Sequence, residues 1–469
     1  MDNSIQAHQK ELCNKLWAMA NALRGNMEAY EFKNYILGMI FYYYLSDRTE
    51  KYMANLLKDD GIGYEEAWAD EEYKTAVIEE ALRDLGYVIE PQYLFRKMVK
   101  MVENRSFDIE FLQSAINALM ESTIGNDSQE DFDGLFSDMQ LDSSKLGHTV
   151  KDRSAVMAKI IASLDEINFG VDDTKIDVLG NAYEYLIGQF ASETGKKAGE
   201  FYTPHGPAQI LCRIAMMGQE EKKGLQVYDP CMGSASLMLS CRNYSKEPDY
   251  IKYYGQELMP STYNLARMNM FLHGVHPENQ HLRNGDTLDA DWPTDEETEF
   301  DVVTMNPPYS ANWSAAEGFK QDERFMDYGG NLAPKSKADY AFLLHGFYHL
   351  KQSGTMAIVL PHGVLFRGGA EGRIREILLK NGSIYAVIGL PSNMFYNTSI
   401  PTCIIVLKKH RDGRDVLFID ASNLFVKEKK QNVMTEEHIG HVLELYKNRK
   451  PVEKEAYLAS YEDIEKNDF

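Results

Sequence analysis

The sequence predicts two structural classes in one chain, an all-helical N-terminal region followed by an α/β domain. Residues 1–170 carry amphipathic to fully buried helical patterns, such as YEFKNYILGMIFYYYLSDR, and few strand-like alternations. From about residue 225, short apolar strand segments alternate with helical segments. This alternation predicts a parallel sheet with helices on both faces, because a parallel sheet is normally covered on both sides.

Composition and charge narrow the class of protein. No stretch approaches the ~18 uncharged apolar residues of a membrane span, and the polar, acidic N-terminus is unlike a signal peptide. The five cysteines are scattered without a C-x-x-C pair, so neither a metal site nor a disulfide framework is predicted. We therefore expect a cytoplasmic protein. The net charge of −22 argues against a free-standing nucleic-acid binder, but not against a local basic face or a partner that supplies one.

Acidic residues end three successive predicted strands. The first strand, LQVYD, ends in Asp229 and is followed by the small-residue turn 233–236, which lets a ligand approach the backbone. The second, YYGQE, ends in Glu257, about 20 residues further on, where an acid can bind ribose hydroxyls. The third ends near Asp286, in NGDTL. Because ligands bind beyond the carboxyl ends of such strands, these acids indicate a ligand site.

The fourth strand, FDVVTM, ends in Asn306-Pro307-Pro308-Tyr309. Neither proline can donate to a sheet, so the strand stops and an asparagine and a tyrosine are held rigidly beside its end. By itself the tetrapeptide also fits a stiff strand end. The turn after the first strand lacks G-x-G-x-x-G and a Walker lysine, so a nicotinamide dehydrogenase or a phosphate cradle fits poorly.

These strand ends resemble a known family. DPCMGSAS (229–236) followed by NPPY (306–309) resembles the S-adenosylmethionine-dependent N6-adenine DNA methyltransferases. GEFYTP (199–204) is similar to the segment that closes over the cofactor in one sub-class. The helical N-terminus, with LGHTVKDRSAVMAKII, narrows the resemblance to HsdM, the methylation subunit of type I restriction–modification systems. The resemblance extends over nearly the whole chain.

The resemblance implies three regions and several partners. Residues 1–170 would form a helical domain that clasps DNA and contacts other subunits, and 171–425 a Rossmann-like class I methyltransferase domain. Residues 426–469 would form a helical, partner-binding segment that relatives usually extend. The implied partners are double-stranded DNA, a specificity subunit in an M2S1 complex, and a restriction subunit in the full nuclease. Since recognition would belong to the specificity subunit, an acidic methylation subunit is understandable.

The resemblance also assigns roles to individual residues, with S-adenosylmethionine as the cofactor and no metal. The methionine end of the cofactor would border the segment Glu200, Phe201, Tyr202, Thr203, Pro204 and His205. Its amino-acid portion would be held by Asp229 and the turn Gly233, Ser234, Ala235 and Ser236. Glu257 would bind the ribose hydroxyls, and Asp286 would lie near the cofactor adenine. Catalysis would use Asn306, Pro307, Pro308 and Tyr309.

One departure from the family concerns Ala235, where many relatives carry a second glycine. A methyl group there costs little if the backbone keeps φ below zero, although it narrows the approach to the backbone. We therefore expect cofactor binding to survive. Two basic segments, 366–375 (FRGGAEGRIR) and 426–431 (VKEKKQ), are candidate contacts to the DNA backbone, and each also fits a solvated surface.

The implied chemistry requires rigid acceptors rather than a strong base. The adenine amino group is a poor nucleophile because its lone pair is delocalised into the ring. The Asn306 oxygen and the Pro307 carbonyl would each accept one of its N–H groups, while Tyr309 would stack on the extruded base. A glutamine amide presents a similar planar NH2, so a protein-glutamine methyltransferase is one alternative. A catalytically silent, methyltransferase-like scaffold is another.

Overall fold

The computed structural model describes residues 3–25, 27–167, 178–194, 202–294, 298–396 and 398–469. The chain divides into two compact units, Met1–Glu193 with Arg267–Pro277, and Thr194–Ala266 with Glu278–Phe469. Among the helices that the structure describes, none combines the length and apolar character needed to cross a membrane.

The first unit is helical, as the sequence predicts. Its helices are α1 (Asn3–Leu23), α2 (Ala29–Leu56), α3 (Tyr64–Ala69), α4 (Glu71–Asp84), α5 (Phe95–Glu103), α6 (Ile109–Ser122), α7 (Gln129–Phe132), α8 (Val150–Asp165) and α9 (Val178–Thr194). Residues 35–42 of α2 are buried, which makes this apolar stretch core. Phe41 packs on Phe136 and Phe271, with ring centroids 5.7 and 5.9 Å apart. Aromatic burial on this scale is a large share of a helical core's stability.

The second unit is an α/β domain. Its helices are α10 (His205–Met216), α11 (Ser236–Leu239), α12 (Pro260–Leu272, shared with the first unit), α13 (Asp339–Tyr348), α14 (Gly369–Lys380), α15 (Glu436–Asn448) and α16 (Tyr461–Lys466). Its strands are β1 (Gln226–Asp229), β2 (Lys252–Glu257), β3 (Gln280–Asn284), β4 (Phe300–Met305), β5 (Leu350–Pro361), β6 (Ile384–Gly389), β7 (Thr402–Leu407), β8 (Val416–Asp420), β9 (Val426–Lys427), β10 (Asn432–Val433) and β11 (Ala456–Ala459).

One nine-stranded sheet organises this unit, in the order β11-β8-β6-β7-β5-β4-β1-β2-β3. Strands β1, β4 and β7 are buried at every residue, so both faces of the sheet are covered there. The chain runs outward from β1 to β2 and β3, and then crosses back to β4 on the other side of β1. This reversal makes the carboxyl ends of β1 and β4 a topological switch point, where α/β sheets bind ligands.

The sheet is mixed, which corrects the prediction of a parallel sheet. Strand β7 runs antiparallel to both β5 and β6, and β11 runs antiparallel to β8. The physical reason lies in the connections, because a parallel neighbour needs a crossover, usually a helix. The described residues of the connection 390–401 form no helix, so β7 returns beside β6 in the opposite direction.

The C-terminal segment 426–469, which was expected to be helical, also contains strands. Strands β9 and β10 form a hairpin, and β11 extends the main sheet between helices α15 and α16. Thr435 caps α15 by accepting a hydrogen bond from the His438 amide at 3.3 Å. The reciprocal acceptor is the His438 ring rather than a glutamate, because histidine occupies the third helical position.

Candidate active site

The turn after β1 is built by backbone hydrogen bonds around a buried acid. Asp229 is 1% exposed, and its Oδ1 accepts a hydrogen bond from the Cys231 amide at 2.9 Å. Burial raises the pKa of Asp229 to about 8, and the negative charge of Glu257 acts in the same direction. The Met232 amide donates to the Gln256 carbonyl at 3.0 Å, which ties the turn to β2. A cationic ligand group would find an uncompensated carboxyl here.

Ala235 departs from the predicted backbone conformation. Its φ is +65°, in the left-handed region, and its side chain is buried. The methyl group was expected to cost little only if φ were below zero, and Ala235 does not meet this condition. A left-handed residue with a Cβ costs about 1–2 kcal/mol. Ala235 is the residue immediately before α11, so the turn can enter the helix only by bearing this strain.

The acids at the ends of β2 and β3 both lie at the carboxyl edge of the sheet. Glu257 is the last residue of β2, and its Oε2 accepts from the Gly233 amide at 3.2 Å while Oε1 accepts from the Met259 amide at 2.8 Å. Asp286 is exposed, and its Oδ1 accepts from the Leu288 amide at 3.0 Å. A carboxylate oxygen has two lone pairs, so the exposed Asp286 can accept from a ligand amino group in addition to the Leu288 amide.

The side chain of Asn306, directly after β4, is held at both ends. Its Nδ2 donates a hydrogen bond to Thr203 Oγ1 at 3.0 Å, and its Oδ1 accepts one from the Tyr309 hydroxyl at 2.9 Å. The Tyr309 ring packs edge-on against Phe395, with centroids 5.9 Å apart. Burial raises the pKa of Tyr309 well above its usual value, so the hydroxyl is a donor at neutral pH. Asn306 therefore presents its oxygen in a fixed direction.

A cavity joins the β1 turn to Asn306. Its lining is Tyr202, Thr203, Asp229, Cys231, Met232, Gly233, Ser234, Ser236, Leu237 and Asn306. Seven of these are residues that the sequence analysis singled out, whereas Cys231, Met232 and Leu237 are additions. Of the remaining predicted residues, Pro204 directly precedes α10, and the exposed ring of His205 lies 3.2 Å from Glu436 Oε1. Glu200 and Phe201 lie outside the described residues.

Comparison with known proteins assigns the family. Residues 174–469 match the family described as N-6 DNA Methylase, and residues 12–164 match the HsdM N-terminal domain. The chain belongs to the N-6 DNA methylase family. The methyltransferase subunit of a type I restriction-modification system from Streptococcus thermophilus is 50% identical, with a TM-score of 0.93 over 98% of this chain and 97% of that one.

A curated relative supports the same assignment. The methylase subunit of the type I restriction enzyme MpnII from Mycoplasma pneumoniae is 38% identical, over 93% of this chain and 83% of its own length. A putative class I S-adenosylmethionine-dependent methyltransferase from Listeria monocytogenes, 18% identical, shares the fold alone (TM-score 0.50, 76% of this chain and 98% of that one). The chain is thus a methylation subunit of a type I restriction–modification system. These findings give no support to a protein-glutamine methyltransferase or a silent scaffold.

An ionic network with two buried acids lies behind the Asn-Pro-Pro-Tyr loop of this methylase, and the sequence analysis missed it. The Ser310 amide donates to Asp339 Oδ1 at 2.7 Å, and Arg367 donates to Asp339 Oδ2 at 2.6 Å. Arg367 also donates to both carboxylate oxygens of Glu371, at 2.6 and 2.8 Å. Hydrogen bonds to these two acids raise the Arg367 pKa. The three charged groups fix the residue that directly follows the Asn-Pro-Pro-Tyr loop.

This network corrects part of the predicted DNA contact at 366–375. Arg367 is committed to two buried acids. Arg375 is 6% exposed and donates to the carbonyls of Val364 and Phe469. Both arginines therefore hold the protein together rather than face a ligand. Spacing alone could not show this, because their partners lie on other elements of the fold.

A His/Asp cluster elsewhere in the methylase is organised around an arginine. Asp291, His345 and His349 could together offer ligands to a metal. However, the buried Arg324 guanidinium donates to His345 Nδ1 at 3.1 Å, and its other N–H groups go to carbonyl and carboxylate oxygens. His345 Nε2 lies 2.7 Å from the Tyr228 hydroxyl. A cation already takes the central position, so we interpret the cluster as an internal hydrogen-bonded network.

Proposed function

We propose that the chain transfers the methyl group of S-adenosylmethionine to the N6 amino group of an adenine extruded from double-stranded DNA. One observation carries this proposal. The fixed amide oxygen of Asn306 borders the same cavity as the buried Asp229 carboxyl and the Gly233 turn. An acceptor for the amino group of a base is thereby adjacent to a site suited to the cofactor, which is the juxtaposition that methyl transfer needs.

The residues of this edge fit S-adenosylmethionine. The Asp229 carboxyl, buried and with its pKa raised to about 8, would gain a cationic partner in the ammonium group of the methionine portion. Gly233 has φ +55° and no Cβ, so the backbone can be approached closely. Glu257 would accept from the ribose hydroxyls, and Asp286 would accept from the adenine amino group. When bound, the cofactor supplies an electrophilic methyl group on a sulfonium.

The catalytic residues position the base rather than deprotonate it. Asn306 Oδ1 has a second lone pair beside the one that Tyr309 uses, and it would accept one N–H of the amino group. The Pro307 carbonyl would accept the other. These two bonds turn the nitrogen lone pair towards the methyl group, and the rigid Pro307–Pro308 pair keeps both acceptors still. Methyl transfer would leave a neutral thioether on the cofactor side and a positively charged nitrogen with two protons, one of which is acidic enough to be lost to water.

The proposed partners follow from the family. A separate specificity subunit would select the DNA site in an M2S1 complex, and a restriction subunit would join the full nuclease. Extrusion of the target adenine from the duplex is required because its amino group is otherwise paired to thymine and out of reach of the pocket. Residues Tyr202, Thr203, Ser234, Ala235 and Ser236 would complete the pocket around the amino-acid end of the cofactor.

The test uses the complex of this chain with its specificity subunit. Genome-wide mapping of methylated adenines identifies the target, and transfer of a tritiated methyl group to a duplex carrying it gives the rate. Asn306→Ala should lower the rate by at least about 100-fold, the typical effect of deleting one preorganised polar contact. Cofactor affinity, measured by calorimetry, should stay within about twofold, because Asn306 contributes only one group to the cavity.

Tyr309→Phe is the matched variant, since it keeps the ring and removes only the hydroxyl that orients Asn306. We expect a loss of about tenfold, the value of one hydrogen bond of ~1 kcal/mol or slightly more. Near wild-type transfer by Asn306→Ala would contradict the proposal. Failure of the wild-type complex to bind S-adenosylmethionine would instead favour a silent scaffold.

A further inference from the structure

A short segment, residues 335–338, runs beside the chain that continues from the Asn-Pro-Pro-Tyr loop of the second unit, and its first two residues are exposed. The Trp313 amide donates a hydrogen bond to the Lys335 carbonyl at 3.0 Å, and the Ala338 amide donates to the Ala311 carbonyl at 2.9 Å. Residues 311–313 directly follow the Asn-Pro-Pro-Tyr loop and Ser310. These two bonds hold the segment 335–338 against the continuation of that loop.

The segment is anchored at both ends. On one side, Trp313 is 7% exposed, and its Nε1 donates to the carbonyls of Ala333 and Pro334 at 3.2 and 3.1 Å. On the other side, Asp339 accepts the Ser310 amide and pairs with Arg367. The position of residues 335–337 relative to Asn306 is therefore set by the fold and does not depend on a flexible loop.

Three cationic side chains belong to this region. Lys335 is exposed, Lys337 is half-buried, and the exposed Arg373 of α14 donates to Asn331 Oδ1 at 3.2 Å, four residues before Lys335. Within the described part of the chain, none of the three cations forms an ion pair with an acidic side chain. We call Lys335, Lys337 and Arg373 the basic lip.

The charge of the basic lip is unusual for its surroundings. The chain carries a net charge of −22, and many of its exposed lysines and arginines are paired with acids, as Lys320 is with Glu317. Arg367 and Arg375, in the same stretch of sequence as Arg373, are used inside the protein. In the described part of the chain, the three cations of the basic lip have no acidic partner. They therefore give this part of the surface a local positive potential that would attract an anionic ligand.

We propose that the basic lip binds backbone phosphates of the DNA duplex next to the extruded adenine, an inference that rests on the proposed function. Phosphate contacts carry no sequence information, but they fix the position of a protein on DNA. A rigid lip beside Asn306 would hold the sugar-phosphate chain where the target base leaves the stack. This also explains how an acidic subunit engages DNA locally while its partner reads the sequence.

The test compares two variants that remove equal charge from the complex of this chain with its specificity subunit. Lys335→Gln/Lys337→Gln removes two charges of the lip, and Lys223→Gln/Lys252→Gln removes two exposed charges at the opposite edge of the sheet, just before β1 and at the start of β2. The probe is a 30-bp duplex containing the mapped site. The lip variant should raise the KM for DNA about tenfold near physiological salt and reduce the slope of log KM against log salt by about two. Arg373→Gln should reduce this slope by about one.

The readouts separate the lip from a structural effect. The kcat at saturating DNA and the affinity for S-adenosylmethionine should not change in the lip variant, and the Lys223→Gln/Lys252→Gln variant should keep the wild-type slope. An unchanged slope in the lip variant would overturn the proposal. Loss of co-purification with the specificity subunit would assign the lip to a protein partner and would also overturn it. If the wild-type complex fails to methylate, the proposed function is wrong. The lip is then tested by fluorescence anisotropy, which measures how the affinity for the duplex depends on salt in the wild type and in the lip variant.

Discussion

The two sides of the proposed active-site edge are built by different means. On the proposed cofactor side, the backbone amides of the short turn after β1 donate to carbonyls and to the carboxylates of Asp229 and Glu257, and two residues of the turn, Gly233 and Ala235, take positive φ values. On the proposed substrate side, the Asn306 side chain is fixed by two other side chains, and Arg367 with its two acids lies behind the loop. The first side therefore depends on the backbone conformation of one turn, whereas the second depends on side chains that come from several elements of the fold.

The largest expected effect is a loss of folding stability when the ionic network behind the Asn-Pro-Pro-Tyr loop is disrupted. Arg367→Met leaves the buried carboxylates of Asp339 and Glu371 without their cation, and removal of one partner of a buried ion pair typically costs about 3–5 kcal/mol. Urea unfolding followed by circular dichroism measures the loss. Lys246→Gln removes the partner of exposed Glu221 and should leave the stability nearly unchanged, because exposed ion pairs contribute little.

The same variant tests whether the two sides are separate. The folded fraction of Arg367→Met should still bind S-adenosylmethionine with wild-type affinity, because Arg367 contacts none of the cavity residues through the hydrogen bonds described. A stability loss below about 1 kcal/mol, or a parallel loss of cofactor affinity, would contradict the contrast drawn between the two sides.

The next effect concerns the buried acid on the cofactor side. A pKa of about 8 means that the Asp229 carboxyl is protonated at pH 6 and ionised above pH 8. Because the proton stabilises the folded protein without ligand, the stability contribution of Asp229 is lost as the pH rises through about 8. A cationic ligand reverses the preference, so binding of the cofactor below pH 8 must release this proton.

The expected outcome is a pH-dependent affinity. The Kd for S-adenosylmethionine should fall as the pH rises from 6 towards 8, by up to about tenfold per pH unit, and should stop falling near pH 8, where the ligand's own α-ammonium group begins to lose its proton. Calorimetry in buffers of different ionisation enthalpy should detect the released proton. Asp229→Asn should bind about 100-fold more weakly and show no such pH dependence, since a buried charge-assisted contact is worth ~3 kcal/mol at most. A wild-type Kd that is constant from pH 6 to 8 would refute this account.

The smallest effect concerns the strained turn. Ala235→Gly removes a Cβ from a left-handed residue, a gain of about 1–2 kcal/mol that the freer unfolded glycine partly offsets. We expect a net stabilisation below ~1 kcal/mol and a slightly higher Tm. Ala155→Gly, at an exposed position in the interior of α8, should instead destabilise the protein. Destabilisation by Ala235→Gly would show that the alanine methyl packs better than the strain costs.

Much of the site could be read from the sequence because it follows a repeated local rule. A polar residue after an apolar strand lies at the carboxyl edge of the sheet, and this rule located Asp229, Glu257 and Asn306. The direction of β7 could not be read this way, since its strand pattern fits either direction. The conformation of Ala235 was equally hidden, because an alanine gives no sign of a positive φ.

Sequence by itself determined the helical first unit, the strand pattern of the second, and the residues that stand at the strand ends. Hydrophobic periodicity and the effect of proline on a strand depend only on neighbouring residues, so both can be recognised in the sequence. Only the tertiary structure decided which charges are used internally. Arg367 meets Asp339 across 28 residues, whereas Lys335, which precedes Asp339 by four, stays exposed. Electrostatic pairing depends on distance in space, and that distance exists only once the chain has folded.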